Sequence, residues 1–131
     1  MSVEQESEKK EFVRINTDIP IRYKFLSKSV PLDEAIFEGS TSNLSGSGIL
    51  LVGKVPSLSW IPALLTEDIL IGINLLLPSL DLPIKALARV GWVEAMVKGN
   101  DRCVMGLRFK EITKEHQDEL LKYLIKAQIA K

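Results

Sequence analysis

At 131 residues, with 46% hydrophobic and 26% charged side chains, the chain has the size and composition of one globular domain and can bury a single core. Seventeen Lys and Arg balance seventeen Asp and Glu, which excludes a bulk electrostatic case for a nucleic-acid duplex or an anionic membrane surface, so any anion site must be local. One cysteine, Cys103, cannot form an internal disulfide, and the expected location is cytoplasmic.

Residues 1–10 are polar and acidic before ending in Lys9-Lys10, and they hold none of the apolar core of a secretory signal. Too little apolar surface is available there to offset the entropy of ordering the chain. A mobile arm is expected over 1–10 and a folded domain over 11–131.

From Asp18 to Phe25 apolar and polar residues alternate, with Ile19, Ile21, Tyr23 and Phe25 on one side, which predicts a half-buried strand. A turn over Lys28 to Leu32, marked by Pro31, leads to a second strand over Ala35 to Ser42. The polar stretch Asn43-Leu-Ser45-Gly-Ser-Gly48 then runs into a third strand, Gly48 to Val52. Two prolines and Trp60 make Gly53 to Asp68 an irregular connection, with one helical turn at Ala63 to Leu65.

The apolar run Ile69 to Leu77 stops at Pro78 and contains Asn74. A spanning helix needs roughly twenty apolar residues, so this run is read as a fourth, buried strand and no membrane insertion is expected. The fifth strand runs from Ile84 to about Met96 with Ile84, Ala86, Ala88, Val90 and Trp92 on one face. Lys98 to Asp101 has the composition of a hairpin turn, and the sixth strand, Arg102 to Lys110, turns Cys103, Met105, Leu107 and Phe109 to the core. Thr113 offers a cap, and Leu120, Leu121, Leu124 and Ile125 recur at helical spacing, so Lys114 to about Ile129 is predicted to be an amphipathic helix. Six strands with turn signals and one closing helix predict a mainly β fold, a small antiparallel barrel with a C-terminal α-helix.

Two stretches carry candidate chemistry. In Lys9-Lys10-Glu11-Phe12-Val13-Arg14 the cations at 10 and 14 stand four apart just before the first strand. A guanidinium forks two donors onto phosphate oxygens or onto the O6 and N7 of guanine. In Asn43-x-Ser45-x-x-Gly48, short polar side chains and a glycine can form a ligand lip, and the same residue types also make ordinary turns.

Together these stretches resemble the PilZ domain family, whose members carry RxxxR ahead of the first strand and (D/N)xSxxG downstream. The resemblance extends through Ala88-x-Val90-x-Trp92 and Gly106-Leu-Arg-Phe109 to the final helix. It implies a six-stranded PilZ-like β-barrel and a receptor for cyclic di-GMP, with no catalytic role. It also implies that Lys10 and Arg14 form a basic clamp, with Lys9 beside it, and that Asn43, Ser45 and Gly48 form the facing rim. Signalling would then run through ordering of the arm, a changed surface for a downstream protein partner, and control of motility or biofilm. Position 10 departs from the family pattern, since lysine keeps the charge but lacks the planar fork. A barrel that has lost nucleotide binding and serves as a protein adaptor is the rival reading.

The remaining candidates read as structural. Trp60 and Trp92 are expected to pack in the core or at its rim, Cys103 to be a buried thiol, and His116 to lie in the first helical turn without a metal partner. The carboxylates Glu67, Asp68, Asp118 and Glu119 form no acid and base pair.

Overall fold

The computed structural model describes residues 15–29, 32, 35–95 and 102–129. The expected arm, its basic residues Lys9, Lys10 and Arg14, and the turn over Lys98 to Asp101 lie outside the described residues.

Six strands, β1 (Ile15–Ser27), β2 (Phe37–Leu44), β3 (Gly48–Lys54), β4 (Ile69–Leu75), β5 (Ile84–Ala95) and β6 (Arg102–Glu111), form a closed antiparallel barrel in the order β1-β2-β3-β6-β5-β4. Closure removes free sheet edges, so each strand has a ladder on both sides. β1 is longer than its alternation predicts because it pairs with β2 over its first part and with β4 from Ile21 onward. Pro20 sits just before that second ladder begins, and its carbonyl accepts the Leu76 N–H at 3.1 Å. A residue without an N–H is tolerated where the ladder has ended.

The core is the one that the alternation predicted. Ile19, Ile21, Tyr23 and Phe25 of β1, Ile71, Ile73 and Leu75 of β4, and Cys103, Met105 and Leu107 of β6 are all buried. Tyr23 buries its ring and donates its hydroxyl to the Lys54 carbonyl at 2.7 Å, so its polar end is satisfied. Phe25 and Phe37 pack against it, and Trp60 packs edge-on to Phe25 at 5.4 Å.

Two helices follow strands that end at opposite rims. After a 3-10 turn at Leu58–Trp60, α1 (Ile61–Leu65) buries Leu64, and α2 (Lys114–Ile129) buries Leu120 and Leu124. Thr113 caps α2 by accepting the His116 N–H at 3.2 Å. The His116 ring anchors the same end, its Nδ1 accepting the Lys85 N–H at 3.2 Å. Among the described residues no helix is long and apolar enough to cross a membrane.

Two expectations are corrected. Ile125 was grouped with the buried face of α2 but is 51% exposed, because the barrel rim takes one stripe of the helix, Leu120 and Leu124. Trp92 was placed on the inner face of β5 with Val90, yet it is 46% exposed. The register slips between Val90, opposite Leu107, and Trp92, opposite Gly106. Gly91 is thus an extra residue, a bulge that reverses the alternation and turns the indole outward.

Candidate functional site

The segment between β2 and β3 is built by its own side chains. Thr41, fully buried, accepts the Asn43 N–H at 3.1 Å and donates its hydroxyl to the Asn43 carbonyl at 3.0 Å, fixing the strand end. Ser45 is 5% exposed, and its hydroxyl donates to the Gly48 carbonyl at 3.1 Å while accepting the Ser47 and Gly48 N–H groups at 3.3 and 3.2 Å. The Ser45 N–H also donates to the Gly48 carbonyl at 3.0 Å. That hydroxyl therefore has its single proton committed to holding the turn.

Gly48 is required by proximity. It lies opposite Arg108, and a Cβ on it would run into the Leu107 carbonyl, so β3 and β6 approach as closely as they do only without a side chain. The turn is tied to β6 a second time by the Phe109 N–H, which donates to the Ser47 carbonyl at 2.9 Å. Of the three rim residues, Asn43 alone keeps a half-buried carboxamide with no hydrogen bond to a described residue.

This turn forms one wall of an outer cleft of about 480 Å³, lined by Asn43, Ser45 and Gly48 and, across the barrel surface, by Arg89, Trp92 and Arg108. That volume falls within the range of small-ligand sites. The cations and the indole come from β5 and β6, which reach the turn because β6 pairs with β3 on one side as well as with its sequence neighbour β5 on the other. Trp92 lies across Gly106, where the missing side chain leaves room for the ring.

Arg89 and Arg108 are directly opposite each other in the β5–β6 ladder. Like charges so placed repel, which concentrates positive potential at the cleft. Glu67 relieves part of it, with Oε2 3.6 Å from Arg89 Nη1 and Oε1 2.7 Å from Lys110 Nζ. The hydrogen bond from Lys110, aided by the charges of Lys110 and Arg89, holds the Glu67 carboxyl below its usual range. Glu67 stands just past the end of α1 in a left-handed conformation, φ 66°. Arg108 has no ion pair among the described residues.

Chemically, the cleft offers an aromatic face, two guanidinium forks and a carboxamide without a hydrogen bond among the described residues, a set suited to an anionic, base-bearing ligand. Among the described residues no group of His, Cys, Asp and Glu could hold a metal ion. Sequence reasoning missed Arg89 and Arg108 and discounted Trp92. The available signal was Gly91 inside a strand, a mark of a bulge.

The family model of the PilZ domain matches residues 8–126. The chain belongs to the PilZ domain family. Its six-stranded barrel with a C-terminal helix is the PilZ fold, as the resemblance implied. Solved structures with the same fold include the Bacillus subtilis inhibitor of motility MotI/DgrA, at 23% identity and TM-score 0.66 over 92% of this chain and 51% of that one. MrkH, a c-di-GMP-dependent transcription regulatory factor, aligns at 15% identity and TM-score 0.63 over 90% of this chain and 50% of that one. The PilZ domain of YcgR from Escherichia coli, solved with c-di-GMP, aligns at 10% identity and TM-score 0.59 over 91% of each chain. This PilZ chain spans about half the length of MotI/DgrA and MrkH. At these identities the likeness is one of fold. No curated protein matches the chain.

Proposed function

We propose that this PilZ domain is a receptor for cyclic di-GMP that takes the nucleotide in the cleft between the β2–β3 turn and the outer face of β5 and β6. The observation that carries this reading is the convergence of Asn43, Trp92, Arg89 and Arg108 on one cleft from three separate strands. In this reading a guanine stacks on Trp92, Arg89 and Arg108 meet phosphate or a guanine edge, and Asn43 reads the base through its carboxamide. Ser45 and Gly48 hold the turn that presents Asn43.

Lys9, Lys10 and Arg14 supply the second jaw. That β1 begins at Ile15, opposite Leu44, which is next to Asn43 in sequence, supports this reading. An arm that orders over the ligand gives the nucleotide a free-energy difference between two states, and hence a signal to a protein partner. That YcgR was solved with c-di-GMP, that MrkH is c-di-GMP-dependent and that MotI inhibits motility support a role in motility or in regulation.

Titration calorimetry of the chain with cyclic di-GMP tests the proposal. Saturable heat, with an affinity about five- to a hundredfold weaker in Trp92→Ala, is the expected result. No heat at high concentrations of both would leave the adaptor reading in its place.

A further inference from the structure

We propose that the outer face of β1, β4 and β5, on a different part of the barrel from the cleft, receives an acidic amphipathic segment of a protein partner. The ladders set two rows of outward residues side by side. One row is Arg22, Asn74 and Lys85; the next is Lys24, Gly72 and Leu87. With Lys110 and the start of α2 as a wall they enclose a groove of about 940 Å³.

Gly72 keeps that groove open. A Cβ there would meet only Leu26 Cδ1 at 3.4 Å and Lys24 Cγ at 3.8 Å, ordinary contacts, so neither packing nor backbone conformation demands glycine. Apolar surface lies beside it, with Leu26 38% and Ile36 67% exposed. In a chain with no net charge, four cations line this groove against one described lining carboxylate, Glu111, and among the described residues only Lys110 of the four is held by a carboxylate outside it, Glu67.

These features select the occupant. The cations stand on β1, β5 and β6, with the uncharged Asn74 and Gly72 of β4 between β1 and β5, so at about 4.8 Å per strand they are spread around an apolar floor and do not converge on one small anion. A second copy using the same face would set cations against cations. A bilayer cannot enter a concavity of this kind. A segment with apolar side chains on one face and carboxylates flanking them satisfies both the floor and the rim. The inference stands whether or not the cleft takes nucleotide.

The test is an amide-resolved NMR titration of the chain, without nucleotide, using a synthetic amphipathic helical peptide with Leu on one face and Glu along its flanks. Saturable shifts confined to Lys24, Gly72, Lys85 and Leu87 are expected. Binding should be at least about tenfold weaker for a scrambled peptide of the same composition and for Lys24→Glu/Lys85→Glu. Gly72→Val, which plugs the groove, should also lose binding, while both variants keep the parent's calorimetric response to cyclic di-GMP. Equal binding of the scrambled peptide, shifts that map elsewhere, or binding to phosphatidylglycerol vesicles in place of the peptide would overturn the proposal.

Discussion

The Trp92 indole lies across Gly106 of the neighbouring strand, and a Cβ on that glycine would meet Nε1, Cε2 and Cδ1 of the ring. The obstacle is a half-exposed side chain that can swing aside. Gly106→Ala should therefore displace the indole with little change in melting temperature. If the ring stacks on a base, both Gly106→Ala and Trp92→Ala should weaken cyclic di-GMP binding by about five- to a hundredfold, the worth of roughly 1–3 kcal/mol of stacking. Unchanged affinity in calorimetry would remove Trp92 from the site.

In the proposed site the rim motif divides into one residue for the ligand, Asn43, and two for the fold, Ser45 and Gly48. Ser45→Ala leaves the Ser47 and Gly48 N–H groups without their acceptor and should cost about 1–3 kcal/mol of stability. Gly48→Ala should be at least as costly, because its obstacle is the Leu107 backbone. Asn43→Ala should melt close to the parent yet bind nucleotide more weakly. Urea denaturation beside calorimetry separates the three, and a large stability loss in Asn43→Ala would contradict the division.

In the proposed site Glu67 would compete with a bound phosphate for Arg89, to which it is paired at 3.6 Å. Glu67→Gln should release that guanidinium and tighten nucleotide binding by about two- to fivefold, while loosening the link to Lys110. Weaker binding in the variant would mean that Glu67 instead aims Arg89 at the ligand. The carboxyl's pKa lies below the usual 4.5, so the ion pairs are intact above that value and vanish as pH falls through the lowered one.

Tyr23 makes the barrel sensitive to alkali. Burial pushes its hydroxyl up from 10.0 to about 12, against the opposing effect of the hydrogen bond to Lys54. Above pH 10 the unfolded chain loses this proton first, so stability present below that pH is lost between pH 10 and about 12, on the order of 2–3 kcal/mol. Tyr23→Phe should be less stable at neutral pH by about 1 kcal/mol and lack that alkaline loss. Denaturant midpoints across this range decide, and an identical alkaline fall in the variant would assign it elsewhere.

Lys10→Arg should tighten nucleotide binding, since it restores a planar fork worth roughly 1–3 kcal/mol at a guanine edge. Arg14→Ala should abolish binding and leave circular dichroism unchanged. If Lys10→Arg binds no better, lysine 10 does not face the base.

The amino-acid order alone determined the number of strands, their inward faces and the closing helix, because a period of two marks which side of a strand is apolar and a period near 3.6 marks a helix. It also marked Asn43 to Gly48 as a unit, since turn-forming residues announce themselves locally. Which strands lie side by side was decided only by closure of the barrel, which sets β6 between β3 and β5 and carries Arg89 and Arg108 to the turn. The outward aim of Trp92 needed the bulge at Gly91, and the inward commitment of the Ser45 hydroxyl needed the Gly48 carbonyl within 3.1 Å. Alternation reports the side on which a residue stands, whereas register, a property of two strands at once, selects its neighbours.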